Sequence, residues 1–193
     1  PEVFYHDAPF LEDAPFLKTL IDNPNHIGCH TLAKSETAFT GTQAIELDLL
    51  RLCAEEILSA PKDGYDGYVA SGGTEANIQA MWIYRNYFVQ KYGASSKEIA
   101  LLLSEDTHYS ILKGANMLGI SPILLEVQKE TREIAIDKMK TRIQAALKKG
   151  TKYFILVLNM GTTMFGSVDD ITQITKELDS MGLIYKTHID AAF

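Results

Sequence analysis

The chain has 193 residues, with 18 Lys plus Arg against 25 Asp plus Glu, a formal charge of −7. A composition of 46% hydrophobic and 22% charged residues is that of a globular protein and excludes a disordered or fibrous chain, and the length fits one sizeable domain. The acidic balance argues against a dedicated nucleic-acid binder, which carries a basic patch or stripe.

The chain opens at Pro1 without a Met, and PEVFYHDAPF shows no basic stretch followed by an apolar one, so no signal peptide is read. A cytoplasmic location is expected. Pro1, Pro9, Pro15 and Pro24, with little periodicity around them, mark residues 1–40 as an irregular arm. From Thr42 the spacing turns helical, with Ile45, Leu49, Leu52, Cys53 and Ile57 on one face that is expected in the core. Cys53 reads there as a small core residue, and with Cys29 it forms neither a disulfide framework nor a metal-ligand spacing. Pro61 ends this helix, and Asp63-Gly64 and Asp66-Gly67 supply turns.

Strands and helices then alternate. Short strand Tyr68–Ala70 leads to a helix from Thr74 to Lys91 with Ala76, Ala80, Ile83, Tyr84 and Tyr87 on one face. Strand Ile99–Leu103 is followed by a helix from about His108 to Leu118, and strand Pro122–Val127 by a helix Asp137–Lys149 closed by Gly150. Tyr153–Leu158 is a continuous apolar strand of the fully buried kind. The apolar run that holds it, Tyr153–Met160, is far shorter than the roughly 18 residues of a membrane helix. Helix Ile171–Met181, closed by Gly182, and strand Leu183–Ile189 complete the pattern. Such alternation predicts an α/β fold, a mostly parallel sheet with helices on both faces. Ligands bind such sheets beyond the carboxyl ends of the strands.

Four strand ends carry unusual residues. Ser71-Gly72-Gly73-Thr74-Glu75-Ala76-Asn77 is a small-residue turn opening a helix. Its free N–H groups and the helix dipole suit an anion, and Ser71 or Thr74 can cap the helix. It lacks the Lys of a P-loop and the spacing of a dinucleotide fingerprint, and an ordinary strand-to-helix turn fits it as well as a phosphate cradle does. His108 follows the second strand, as a site residue or as a plain cap. After the third comes Asn159-Met160-Gly161-Thr162-Thr163-Met164-Phe165-Gly166-Ser167-Val168-Asp169, a polar loop on a rigid scaffold. Asp190 ends the last apolar strand, where an ionised carboxylate needs a cation or several donors unless it caps the next turn.

The order S-G-G-T-E-A-N, H-x-S-x-x-K-x-A-x-x-L-G, G-T-T-x-x-G-x-x-D and H-I-D-A-A-F resembles the group II pyridoxal-phosphate-dependent amino-acid decarboxylases of the aspartate-aminotransferase-like fold, over Thr40 to Phe193. The first motif is shared with cysteine desulfurases. The resemblance implies pyridoxal 5'-phosphate as cofactor, with Asp190 holding the pyridine nitrogen protonated and His108 stacked on the ring face, where it would help position the substrate carboxylate. It further implies Ala192 on the opposite face, Gly73 and Thr74 on the phosphate, Thr163 at the polar edge of the cofactor, and Asp169 fixing the loop. Asp190 and His108 would be the catalytic residues, acting on a small amino acid to give an amine and CO2, in a homodimer without nucleic-acid, membrane or metal partners. The resemblance further implies that the arm before Thr40, which holds His26, His30 and Phe39, contributes to substrate choice as the family's N-terminal segment does.

The pattern departs from the family in one respect: the lysine that forms the Schiff base lies beyond the D-A-A segment. Lys186, about 13 Å back along the strand from Asp190, is no substitute. Residues 41–193 are therefore expected to be the cofactor-binding large domain, cut before that lysine and the C-terminal small domain, and inactive alone. Two alternatives stay open at this point: a carbon–carbon or carbon–sulfur lyase using the same cofactor (sphingosine-phosphate-lyase-like or desulfurase-like), and a non-catalytic module of the same fold.

Overall fold

Parallel strands buried on both faces read as unbroken apolar runs, and two such runs anchor the architecture. The structure, a computed structural model, describes residues 40–62 and 64–192, together with residue 15. Most of the expected N-terminal arm, with His26, His30 and Phe39, lies outside the described residues, as do Asp63 and Phe193. The chain divides into two units, one ending at Val69 and the other starting at Ala70.

In the first unit, helix α1 (Thr40–Arg51) runs on as a π-helical stretch, Leu52–Ile57. Ser59 adopts a left-handed φ of 56°, so the helix stops ahead of Pro61 rather than at it. The expected core face is not buried: Ile45 is 71% and Ile57 68% exposed, and Leu49 and Leu52 are exposed too. Cys53 is a free, half-buried thiol. The buried residue of α1 is Glu46, whose carboxylate accepts the Val69 N–H at 2.6 Å. That bond gives a physical reason why residues 68–70 form no strand. The Val69 donor is satisfied by a side chain instead of a sheet neighbour.

The second unit is built on four parallel strands in the order β2-β1-β3-β4. They are β1 (Ile99–Ser104), β2 (Ser121–Leu125), β3 (Tyr153–Asn159) and β4 (Ile184–Asp190). The helices are α2 (Gly73–Tyr92), α3 (Tyr109–Leu118), α4 (Ile136–Lys148) and α5 (Ile171–Ser180). Every strand and helix expected after Gly72 is present. Gly150 (φ 96°) and Gly182 (φ 65°) follow α4 and α5 in the left-handed region that a β-carbon disfavours.

Alternation along β1 and β3 builds two cores. Ala100, Leu102, Phe154 and Leu156 meet Met139 and Ile143 of α4 and Ile174 and Leu178 of α5. Ile99, Leu101, Leu103, Ile155 and Val157 meet Met81 and Phe88 of α2 and Ile111 and Ala115 of α3. Helices thus cover both faces of the sheet. The buried line of α2 is Asn77, Met81 and Phe88 rather than the expected face through Ala80 and Ile83. That helix carries apolar residues on several sides, Trp82, Ile83 and Val89 among the exposed ones, so its periodicity discriminates poorly. On α4, Ala146 is buried in place of Leu147.

Phe154 is fully buried at the centre of the first core. Phe154→Ala is expected to cost about 3–5 kcal/mol of stability, read as a lower urea midpoint at an unchanged slope. A loss below about 1 kcal/mol would place Phe154 outside the core that holds the sheet together.

No helix among the described residues is long and apolar enough to cross a membrane, and none of their acidic, His or Cys side chains cluster as a metal site. The carboxyl ends of β1, β3 and β4 all face the same end of the sheet, because the strands are parallel.

Candidate active site

A cavity of about 200 Å³ opens at that end. Gly73, Thr74 and Asn77 line it from the start of α2, and His108 from the residue ahead of α3. Asn159, Gly161, Thr162 and Thr163 reach it from the end of β3, and Asp190 and Ala192 from the end of β4. All six residues singled out in the sequence (Gly73, Thr74, His108, Thr163, Asp190 and Ala192) border one space.

The turn into α2 departs from one expectation. Gly72, not Ser71 or Thr74, is the N-cap, and no side chain caps the helix. Ser71 instead gives its N–H and hydroxyl to Glu75, at 2.7 and 2.5 Å. Helical bonding begins with the Ala76 N–H on the Gly72 carbonyl at 3.1 Å, so Gly73 and Thr74 lie in the first turn, whose amides point out of the helix. A β-carbon built on Gly73 meets only the Ala192 β-carbon, at 3.8 Å. The protein leaves that space open.

At β4, the Asp190 carboxylate accepts the Asn77 amide at 3.0 Å and the Ala192 N–H at 3.3 Å. It therefore has the donors its position demands, and it also ties down the turn after the strand. Behind it, His188 Nε2 lies 2.7 Å from Asn77 Oδ1. Burial pushes the His188 imidazole below its ordinary pKa, against the opposing pull of Asp190. His108 caps α3, its ring accepting the Ser110 N–H at 3.4 Å. Lys186 plays no part: its ammonium sits 4.5 Å from the Tyr87 ring centroid and does not line the cavity.

The loop after β3 is held from within and from beside. Gly161 and Thr162 N–H groups donate to the Ser167 carbonyl at 3.1 and 3.0 Å. Asp169 accepts the Asn159 backbone and side-chain N–H groups at 2.8 and 2.9 Å. The Arg132 guanidinium grips Asp106 at 2.8 and 2.5 Å and lies 4.5 Å from the Phe165 ring centroid. One side chain thereby fastens the turn leading to His108 to the loop carrying Thr163.

Burial raises the Asp169 carboxyl above its ordinary value of 3.8, more than the Asn159 and Ile134 donors lower it. A raised folded-state pKa means that the folded protein holds this proton more tightly than the unfolded chain. The associated stability is complete below the unfolded pKa and is lost as pH rises through the folded one. Asp169→Asn removes that titration. The melting temperature of the wild type relative to this variant should therefore fall as pH rises above about 4. A difference that stays constant across the range would refute the burial argument.

Asn77, Ser110 and His188 were not assigned roles from the sequence. Asn77 and His188 interact across 111 positions, and only the polar character of Asn77 on an otherwise apolar helix face hinted at it.

The model of the pyridoxal-dependent decarboxylase conserved domain matches residues 24–193. The chain belongs to the pyridoxal-dependent decarboxylase family. It is 48% identical to a tryptophan decarboxylase of Clostridium sporogenes over 191 residues, covering 99% of this chain and 46% of that protein. A histidine decarboxylase of Klebsiella aerogenes is 35% identical over 129 residues, 65% of this chain and 31% of that one. The chain thus spans less than half the length of these relatives.

Two solved structures share the fold. An L-methionine decarboxylase from a Streptomyces species has a TM-score of 0.75 at 18% identity, over 92% of this chain and 48% of that one. Oryza sativa TDC, solved with PLP and tryptamine, has a TM-score of 0.72 at 18% identity, over 93% and 38%.

The residues present suit the cofactor of this family. An anion-ready helix start, an uncluttered space over Gly73 and a carboxylate with two donors border one cavity. They match a group that carries a phosphate at one end and a basic ring nitrogen at the other.

Proposed function

We propose that this chain supplies the cofactor-binding part of a pyridoxal-phosphate-dependent amino-acid decarboxylase, whose product is an amine and CO2. The convergence of Gly73, Thr74, His108, Thr163, Asp190 and Ala192 on one cavity carries this reading. Bound pyridoxal phosphate supplies an electron sink for the charge left when CO2 departs.

The chain's own residues bind and tune it. First-turn N–H groups at Gly73 and Thr74, with the Thr74 hydroxyl, hold the phosphate, where the helix dipole favours an anion. Asp190 keeps a proton on the ring nitrogen, since an opposite charge within a few ångströms favours the protonated form. His108 and Ala192 would hold the ring from its two faces, and Thr163 would meet its polar edge. No lysine lines the cavity among the described residues, and the lysine that would bond the cofactor is assigned to a part of the full-length protein outside this chain.

The 48% identity to a tryptophan decarboxylase favours tryptophan as substrate. A cytoplasmic homodimer with 41–193 as its large domain completes the proposal. The test incubates the full-length protein and pyridoxal phosphate with tryptophan, histidine and methionine in parallel, with sedimentation to read the dimer. Release of CO2 with tryptamine is expected from tryptophan. Absence of CO2 from every amino acid tried would sink the assignment.

A further inference from the structure

Asn77 is a polar side chain on the buried face of α2, only 4% exposed, and it reaches Asp190 directly and His108 through Ser110. Its orientation follows from simple donor bookkeeping. The Asp190 carboxylate only accepts, so the Asn77 atom 3.0 Å from it must be the amide nitrogen. The amide oxygen then faces His188 Nε2 at 2.7 Å, which obliges that nitrogen to carry a hydrogen.

The second amide hydrogen goes to Ser110 Oγ at 3.0 Å. Ser110 is fully buried, and its hydroxyl oxygen lies 2.8 Å from His108 Nδ1. The Ser110 backbone N–H points at the same ring nitrogen, at 3.4 Å. A backbone N–H can only donate, so Nδ1 is an acceptor and the Ser110 hydroxyl facing it gives its hydrogen. In the neutral ring the hydrogen then resides on Nε2, which has no partner among the described residues, on a residue that lines the cavity.

We propose that Asn77 and Ser110 form a positioning relay that fixes His108 as its Nε2–H tautomer and holds the Asp190 carboxylate in place. The cavity is thereby offered a hydrogen-bond donor from His108, suited to an anionic oxygen, and a carboxylate from Asp190. One amide sets both. The relay rests on the proposed function only in giving His108 and Asp190 work to do on the cofactor; the tautomer itself follows from the hydrogen bonds alone.

The test is nitrogen-15 NMR of histidine-labelled full-length protein, read with and without pyridoxal phosphate, with His108→Gln assigning the signal. Wild-type His108 is expected as a single Nε2–H tautomer. Ser110→Ala removes the hydroxyl donor and should give mixed tautomers. Asn77→Asp should do the same from one residue further away, because the Ser110 hydroxyl would turn to the new carboxylate. His188→Gln, which keeps an N–H donor, should leave the signal unchanged.

An Nδ1–H or doubly protonated His108 in the neutral wild type overturns the proposal without any variant. So does Asn77→Asp or Ser110→Ala with an unchanged His108 signal, or His188→Gln with mixed tautomers. Turnover in Ser110→Ala should fall roughly tenfold, the weight of one such hydrogen bond, and an undiminished rate also counts against the relay. Failure of the full-length protein to bind pyridoxal phosphate would sink the proposed function instead, and would leave the tautomer result standing.

Discussion

Asp190→Ala in the full-length protein is expected to lower decarboxylation by about 10²–10³-fold or more, the scale seen when one preorganised electrostatic contact is removed from an active site. The carboxylate sits at the end of β4, fixed by the Asn77 amide and the Ala192 N–H, so it meets a charged partner without first having to reorganise. Asp190→Asn separates charge from shape. It keeps an oxygen that can accept from Asn77 or Ala192 and nearly the same volume, but it cannot hold a proton on a neighbouring ring nitrogen. Asn should therefore be about as damaging as Ala for CO2 release, while weakening cofactor binding less. Loss of Asp190 also leaves the buried Asn77 amide short of an acceptor, so melting of the cofactor-free variants must be compared to separate folding from chemistry. Near-normal CO2 release from Asp190→Asn would remove Asp190 from the mechanism.

The parts of this molecule legible from its sequence are those with local causes. Buried parallel strands such as Tyr153–Asn159 announce themselves as apolar runs, α3 as a helix opened near His108, and α5 as one closed by Gly182. Strand order is different. Placing β1 between β2 and β3 is decided by pairings such as Ala100 with both Ser121 and Phe154, and no local pattern encodes it. The same holds for α2, whose apolar residues on several sides hide the line through Asn77, Met81 and Phe88. The apolar face of α1 was legible as a pattern but not as a core, since periodicity reports which residues share a face and not what covers it.

The site divides along the same line. Its six expected residues stand in short motifs at strand ends, where the rule for parallel sheets directs attention. The groups that orient them do not. Asn77 reaches Ser110 across 33 positions and Asp190 across 113. Those contacts exist only once α2, α3 and β4 have met at one end of the sheet, so their geometry was beyond what spacing can show.

Gly73→Ala is expected to move two properties in opposite directions. Position 73 is the first residue of α2, and its φ lies outside the left-handed region that only glycine adopts readily. An alanine there fits the helix, touches nothing closer than the Ala192 β-carbon at 3.8 Å, and restricts the unfolded chain. Without cofactor, the variant should thus be about 0.4–1 kcal/mol more stable than the wild type. The added methyl, however, enters the space over the first-turn amides and pushes a phosphate away from them. Losing or lengthening one charge-assisted hydrogen bond costs about 1.5–3 kcal/mol, which is roughly a 10–100-fold weaker dissociation constant for pyridoxal phosphate. An ordinary strand-to-helix turn would show the gain in stability and no loss of affinity. A cradle shows both, because a glycine that the fold does not need is explained only by what must come close to it.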